Sequence, residues 1–347
     1  MVDYLVVGLG LAGVAFCEQL EMHDKTYKVI SDASQTSSVV AGGMYNPVIL
    51  KRFTPAWNAD SQLQIAMPFY EGLEKKLQVA LDVKVPIYRK FASVEEQNMW
   101  FEASDKPQLS PFLKTTVHPN QNKSIAAAFG YGEVLQTGRI DTEALLKGYQ
   151  HYLEVKDVFR GETFQFSTLK IEDDGITYKD IKAKRIVFCT GFGLKENPYF
   201  NYLPLNGTKG ELLTIKAPLL KEEHVIKSSV FIIPLGNDLY KVGATYNWDD
   251  KSNTPTDAAK DELLSKLDTF LKCPYEVVQH VAGIRPTVKD RKPLVGQHPE
   301  YANLYILNGL GTRGVLIAPT AAQQLYQYIE EQVALPAEVD IKRFQQS

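Results

Sequence analysis

The sequence lacks most features of a secreted, metal-binding or membrane protein. Only three of its 347 residues are cysteine (Cys17, Cys189 and Cys273), and their wide spacing argues against a disulfide framework or a metal site and favours a reducing, cytoplasmic compartment. No apolar run approaches the roughly 20 residues of a membrane span. The apolar N-terminus also lacks the basic segment of a signal peptide, and a Gly-rich turn interrupts it.

Net charge is also nearly absent. The formal value of −3 provides no overall basic field for binding nucleic acid. A local cluster such as "IKAKR" could still contact one, so the composition weakens a nucleic-acid partner without excluding it.

What the sequence does contain is a G-x-G-x-x-G motif near each end. The first, formed by Gly8, Gly10 and Gly13, follows the apolar run "DYLVV" and precedes apolar residues at helical spacing. The next apolar run, "YKVISD", ends at Asp32, 19 residues after Gly13. This order and spacing predict a βαβ dinucleotide-binding unit with the pyrophosphate at the helix N-terminus and the ribose hydroxyls on Asp32. The carboxylate would repel the 2′-phosphate of NADP.

The second motif, formed by Gly309, Gly311 and Gly314, also stands between a strand-like run and a helical pattern. No strand carrying a ribose-binding acid follows it, because Asp340 lies 26 residues after Gly314 in a polar tail. We therefore interpret the two motifs as parts of one site and not as two dinucleotide sites.

The pattern along the chain predicts an α/β protein, α+β overall, in which an antiparallel-sheet substrate domain is inserted into a discontinuous Rossmann-type nucleotide-binding domain. An amphipathic helix is expected over 61–81, and a second helix is expected to begin after an N-cap at Asp141. The nucleotide-binding domain, which the resemblance described next assigns to FAD, is predicted over 1–82, 140–210 and 282–347. The substrate-binding domain is predicted over 83–139 and 211–281.

The fingerprint alone does not distinguish FAD from NAD, but five segments together resemble the FAD-dependent D-amino acid oxidase superfamily. This group includes glycine oxidase, sarcosine oxidase and the flavin domain of the tRNA-modifying enzyme MnmC. The resemblance spans nearly the whole chain. Its segments are "VVGLGLAG", "SSVVAGGMYNP", "RIVFCTG", "LYKVGATYNWDD" and "AGIRPTVKDRKPLVGQHPEYANLYILNGLGTRGVLIAP".

The resemblance implies noncovalent FAD held at both ends, with the first motif at the pyrophosphate and the second motif, together with the last helix N-terminus, at the flavin ring. It further implies that Gly42, Gly43 and Met44 line the flavin from a loop, and that Thr190 and Gly191 close the adenosine end. The candidate cofactor residues are Gly8, Gly10, Leu11, Ala12, Gly13, Ser31, Asp32, Ala33, Ser38, Val39, Ala41, Gly42, Gly43, Met44, Phe164, Thr190, Gly191, Phe192, Gly283, Arg285, Gly309, Gly311, Thr312, Arg313, Gly314 and Val315.

The same resemblance assigns Arg285 to the substrate carboxylate, which a guanidinium binds bidentately with a permanent charge. Strand alternation predicts that Tyr240 and Tyr246 share a face with Trp248 and form a wall of the substrate cavity. An aromatic stripe in the core is the alternative interpretation of these three. His280 is interpreted as structural.

The implied reaction is hydride transfer from a glycine-like or N-substituted amino acid to FAD, which gives an imine and then an oxo acid and an amine. The electron acceptor would be O2 or another compound. A carboxymethylaminomethyl group on the wobble uridine of tRNA is an alternative substrate of the same chemistry. A non-catalytic flavin-binding or electron-transfer subunit and an NAD-linked dehydrogenase are the alternatives from other classes.

Overall fold

A computed structural model describes residues 1–344, so positions 345–347 of the predicted FAD-binding domain lie outside the described residues. The helices are α1 Leu11–Met22, α2 Ser37–Val40, α3 Ala59–Leu77, α4 Val94–Ser104, α5 Thr142–Val155, α6 Asp257–Asp268 and α7 Gly314–Glu330. Short 3-10 helices span Phe166–Thr168, Gly191–Glu196 and Ile341–Phe344.

The strands are β1 Val2–Val7, β2 Tyr27–Ser31, β3 Met44–Tyr45, β4 Val48–Ile49, β5 Thr54–Pro55, β6 Asp82–Lys84, β7 Ile87–Lys90, β8 Leu113–His118, β9 Tyr131–Val134, β10 Gly138–Ile140, β11 Phe159–Gly161, β12 Leu169–Glu172, β13 Gly175–Tyr178, β14 Ile181–Phe188, β15 Thr208–Lys216, β16 Val225–Lys227, β17 Phe231–Gly236, β18 Leu239–Gly243, β19 Glu276–Arg285, β20 Leu294–Gln297 and β21 Leu304–Asn308.

The first large sheet has the central order β11-β2-β1-β14, all parallel, with β21 also parallel to β14. On β1, Val6 faces a core formed with α1, α5 and α7, whereas Leu5 faces a second core on the opposite side of the sheet. Burial of both faces explains why the run "YLVV" within β1 is continuously apolar. The mixed α/β fold expected from the sequence is confirmed.

The second large sheet is mostly antiparallel and has the order β19-β15-β18-β17-β16-β7-β9-β8. One face of its central strands packs against α6. The opposite face, which carries Leu212 and Ile233, is turned toward the carboxyl ends of the parallel strands. Because β15 starts at Thr208 and β19 ends at Arg285, the sheet includes residues on both sides of the boundaries predicted at 210/211 and 281/282.

The ends of two helices follow from residues next to them in the sequence. Asp141 caps α5 as predicted, since its carboxylate accepts a hydrogen bond of 3.1 Å from the Ala144 N–H. Helix α3 ends at Leu77 and not at residue 81, because Gln78 adopts a left-handed conformation with φ of 55°. Within residues 1–344, none of the helices combines the length and the apolar character needed to cross a membrane.

Candidate active site

A cavity of about 950 Å³ lies between the two large sheets. Its walls come from the carboxyl ends of β1, β2, β14 and β21 and from the inner face of the antiparallel sheet. Ligands of open α/β sheets bind at this edge of the parallel strands. The volume is at the upper end of the roughly 300–1,000 Å³ typical of small-molecule sites, which suits a large ligand.

The first glycine motif forms one corner of this cavity. A Cβ on Gly13 would lie 2.0 Å from the carbonyl oxygen of Gly8, so only glycine allows α1 to pack this closely on the turn. Helix α1 begins at Leu11 after Gly10, without a side-chain cap. Its first N–H groups are therefore directed toward the cavity with the positive end of the helix dipole, which suits a phosphate.

Asp32 follows the last residue of β2 and lines the cavity. Partial burial alone would raise the pKa of Asp32. Hydrogen bonds from the hydroxyl (2.6 Å) and N–H (3.0 Å) of Ser34 outweigh this effect and keep the pKa below its ordinary value. The side chain is therefore an ionised acceptor at neutral pH, as a ribose-binding residue must be.

The second glycine motif reaches the same cavity. A Cβ on Gly314, the first residue of α7, would lie 3.2 Å from Leu11 Cδ1, so helices α1 and α7 begin next to each other. The Asn308 side chain donates a hydrogen bond of 2.9 Å to the Gly191 carbonyl, and the Gly311 N–H donates one of 3.1 Å to the Pro286 carbonyl. The two motifs thus face one cavity and not two.

Arg313 stands immediately before α7. Burial lowers the pKa of its guanidinium below the usual value, and its Nη1 atom is buried with no hydrogen-bond partner among residues 1–344. A buried donor without a partner is unfavourable. Arg313 does not itself line the cavity, so this donor lies behind the wall at the start of α7.

Arg285, the last residue of β19, lines the cavity. Its guanidinium lies 4.5 Å from the centre of the Tyr246 ring and donates a hydrogen bond of 3.2 Å to the Thr245 carbonyl. No carboxylate of the described chain lies within ion-pair distance of it. Burial lowers the pKa of Arg285, but a guanidinium remains charged at neutral pH. The cavity therefore contains a partly desolvated cation available to an anionic ligand.

The space that Arg285 occupies depends on a neighbouring glycine. A Cβ on Gly210 would lie 1.9 Å from Arg285 Nη2, so the guanidinium lies directly over the bare backbone of β15. The pairing partner of Gly210 across the ladder is Gly283, which is also a glycine.

The three aromatic residues expected at the substrate wall are not brought together. Tyr240 is only 4% exposed, lies in the core beneath α6, and accepts a hydrogen bond of 3.1 Å from the Glu222 N–H. The prediction that Tyr240 lines the substrate cavity is therefore wrong. Strand β18 ends at Gly243, so the alternation that begins at Tyr240 does not continue to Tyr246. Tyr246 lines the cavity, and Trp248 is exposed but does not line it.

The structure sorts the remaining candidates by position. Those that line the cavity are Gly8, Gly10, Leu11, Ala12, Ser31, Asp32, Ala33, Ser38, Val39, Ala41, Gly42, Gly43, Met44, Phe164, Thr190, Gly191, Gly283, Arg285, Gly311, Thr312, Gly314 and Val315. Those that stand behind the lining are Gly13, Phe192, Gly309 and Arg313.

The apolar part of the cavity was not predicted from the sequence. It is formed by side chains that alternate along β15 and β17 of the antiparallel sheet. The residues are Leu212, Phe231 and Ile233. The alternating pattern of these strands was a usable signal, but it does not reveal which of the two faces is covered by α6.

Comparison with known proteins identifies relatives over almost the whole chain. The model of the family described as FAD dependent oxidoreductase (DAO) matches residues 3–328. Glycine oxidase of Bacillus subtilis is 25% identical over 344 residues, which cover 91% of this chain and 90% of that protein. The bifunctional protein MnmC of Idiomarina loihiensis, named for tRNA 5-methylaminomethyl-2-thiouridine biosynthesis, is 23% identical, and the match covers 92% of this chain but 54% of that protein.

Solved structures agree in fold. Glycine oxidase from Geobacillus kaustophilus superposes with a TM-score of 0.77 at 18% identity, covering 97% of this chain and 96% of that one. Iminodiacetate oxidase from Chelativorans sp. BNC1 superposes with a TM-score of 0.76 at 17% identity, covering 99% of this chain and 98% of that one.

Proposed function

Because this chain belongs to the family of FAD-dependent oxidoreductases, we propose that it oxidises the carbon–nitrogen bond of a glycine-like or N-substituted amino acid. The observation that carries this proposal is Arg285, a partly desolvated guanidinium without an acidic partner among the described residues. A small amino acid presents the carboxylate that such a group binds best. The products would be an imine and, after hydrolysis, an oxo acid and an amine.

The residues present fit FAD. Closely packed glycines, an uncapped helix start and the ionised Asp32 match the needs of an adenine dinucleotide. FAD supplies the acceptor for the hydride that leaves the substrate. We propose that it is held noncovalently: burial raises the pKa of Cys189, the cysteine that lines the cavity, and keeps this thiol neutral and unreactive.

The chain's own part is to bind, orient and dehydrate the substrate. Arg285 would fix the carboxylate through two parallel hydrogen bonds, which limits how the adjacent carbon can turn. The Tyr246 ring covers one face of the guanidinium and restricts its movement. The apolar side chains of Leu212, Phe231 and Ile233 would exclude water from the reacting carbon.

A second candidate substrate is the carboxymethylaminomethyl group on the wobble uridine of tRNA, which is also an N-substituted glycine. The exposure of Tyr246 (61%), whose ring lies over Arg285, and of Trp248 (51%), two residues further along the chain, favours it, since exposed aromatic rings are platforms on which RNA bases stack. The same Arg285 would bind the carboxylate of either substrate.

Anaerobic reduction of the bound flavin tests both candidates. Purified protein is mixed without O2 with glycine, sarcosine, D-alanine, D-proline or tRNA carrying the modified uridine, and the loss of flavin absorbance is followed. We expect at least one of these to bleach the flavin, and Arg285→Ala to slow the bleaching severely. A parent protein whose flavin none of these compounds reduces would contradict the proposal.

A further inference from the structure

We propose that residues 244–256, hereafter the strap, hold the carboxylate-binding Arg285 in place, and that the buried Lys209 is the positioning residue that fastens this strap. The inference rests on the proposed function of Arg285, and it names the residues that keep the Arg285 side chain in position. It arises from a charged network that the reaction itself does not use.

Lys209 is unusual because its side chain is fully buried in β15. Its ammonium contacts Asp250 Oδ2 at 2.5 Å and Ser252 Oγ at 3.3 Å, and it also donates to the Thr254 carbonyl. These three acceptors all belong to the strap. Because a buried ammonium must be paired and hydrogen-bonded to be tolerated, the position of Lys209 requires that the strap stay closed over it.

Glu211, two residues along the same strand, fixes both ends of the strap. Its carboxylate accepts hydrogen bonds from the N–H (2.8 Å) and hydroxyl (3.0 Å) of Thr256 at the far end. Its own N–H donates one of 3.0 Å to the hydroxyl of Thr245 at the near end. The same carboxylate lies 2.9 Å from His280 Nε2 and 3.3 Å from Lys209 Nζ.

The fastened strap carries the contacts of Arg285. Thr245 provides the carbonyl that accepts from the guanidinium, and Tyr246 provides the ring over it. Further along, the Asn253 side chain donates a hydrogen bond of 3.1 Å to the Ser34 carbonyl, close to Asp32. Most other strap side chains are exposed. With little apolar burial of its own, the strap depends on polar contacts to remain closed.

Trypsin gives a direct measure of strap opening, since Lys251 is the one lysine or arginine between residues 244 and 256. In the parent it is held by bonds to the Gly207 and Trp248 carbonyls. We expect Lys209→Met to increase the rate of cleavage into fragments 1–251 and 252–347 by roughly tenfold or more, because cleavage follows the open population. Lys216→Met, at the exposed end of the same strand, is the matched control and should cleave at the parent rate.

Substrate kinetics separate positioning from mere stability. We expect Lys209→Met to raise KM for the best carboxylate substrate about tenfold per bound flavin, as for loss of one well-placed contact to a charged group, and to lower kcat by a smaller factor because the substrate is less well oriented. In an Arg285→Ala background the same change should have no further effect on KM. Asp250→Asn, which alters an accessible strap residue, should reproduce both effects in weaker form if Lys209→Met folds poorly.

Two results would overturn the inference. One is a rate of cleavage at Lys251 that equals the parent rate in both Lys209→Met and Asp250→Asn. The other is an unchanged KM together with lower FAD content or thermal stability, which would mean that Lys209 only stabilises the fold. A failure of the proposed function would look different, since no substrate would then reduce the parent's flavin, and the tryptic assay would still decide whether Lys209 fastens the strap.

Discussion

Replacing Gly210 with alanine tests the position of the Arg285 guanidinium without touching Arg285. The added methyl carbon would lie 1.9 Å from Nη2 and 2.2 Å from Cζ of Arg285. The obstructing atoms belong to the end of a flexible side chain, so the guanidinium would move and the backbone would stay. Its bond to the Thr245 carbonyl would break as it moves.

The expected loss is that of a charged hydrogen bond to the ligand. Such bonds contribute about 1.5–3 kcal/mol, which corresponds to roughly 12- to 160-fold in the dissociation constant of a carboxylate. The free energy of unfolding should change little, because the lost hydrogen bond to Thr245 opposes the lower conformational entropy that alanine gives the unfolded chain. FAD content should match the parent.

The assay is a titration of the oxidised flavoprotein with a small carboxylate inhibitor such as glycolate, followed by the change in flavin absorbance. Gly72→Ala is the matched control, since a Cβ at this position in α3 meets no atom within 4 Å. A carboxylate affinity of Gly210→Ala equal to that of the parent would contradict this prediction and would mean that the guanidinium does not lie where the ligand binds.

Three further outcomes are expected. Gly13→Ala places a Cβ 2.0 Å from the Gly8 carbonyl and should abolish most FAD binding, measured as the flavin-to-protein absorbance ratio; full occupancy would contradict the tight turn. Asp32→Asn should weaken FAD binding about tenfold by loss of charged hydrogen bonds, measured by quenching of flavin fluorescence, and unchanged affinity would exclude Asp32 as the ribose ligand. Partial burial alone would raise the pKa of Glu21, but hydrogen bonds from Lys156, Tyr27 and Tyr152 outweigh it and lower this pKa from the ordinary 4.5 to about 2. Its contribution to stability is therefore present above about pH 4.5 and lost as the pH falls toward 2, so Glu21→Gln should destabilise more at pH 6 than at pH 3 in urea unfolding; an equal effect would contradict this.

The parts of the fold that follow from local chemistry could be predicted. The turn at Gly8 and Gly13 and the cap at Asp141 are fixed by residues close in sequence, and the structure has them as expected. Helix α4 was missed because its buried residues, among them Trp100 and Ala103, are too few to give a clear periodicity.

The candidate site was predicted only in part, because its geometry depends on contacts that sequence does not display. Alternation placed Tyr240 and Tyr246 together, but the regular pairing of β18 ends at Gly243. Tyr240 therefore lies in the core beneath α6, whereas Tyr246 lines the cavity. Gly210 carries no motif, and its importance appears only when Arg285 is seen to lie over it. Lys209 would be taken for a surface residue from sequence, since its partners are 41 to 45 residues away.

The measurement that most directly tests the central claim compares anaerobic flavin reduction by the best amino acid substrate and by the same amine without its carboxylate, such as sarcosine against dimethylamine. We expect the parent to react much faster with the compound that carries the carboxylate, and Arg285→Ala to lose this preference by reacting slowly with the amino acid. Equal rates for the two compounds in the parent would contradict the assignment of Arg285 as the carboxylate-binding residue.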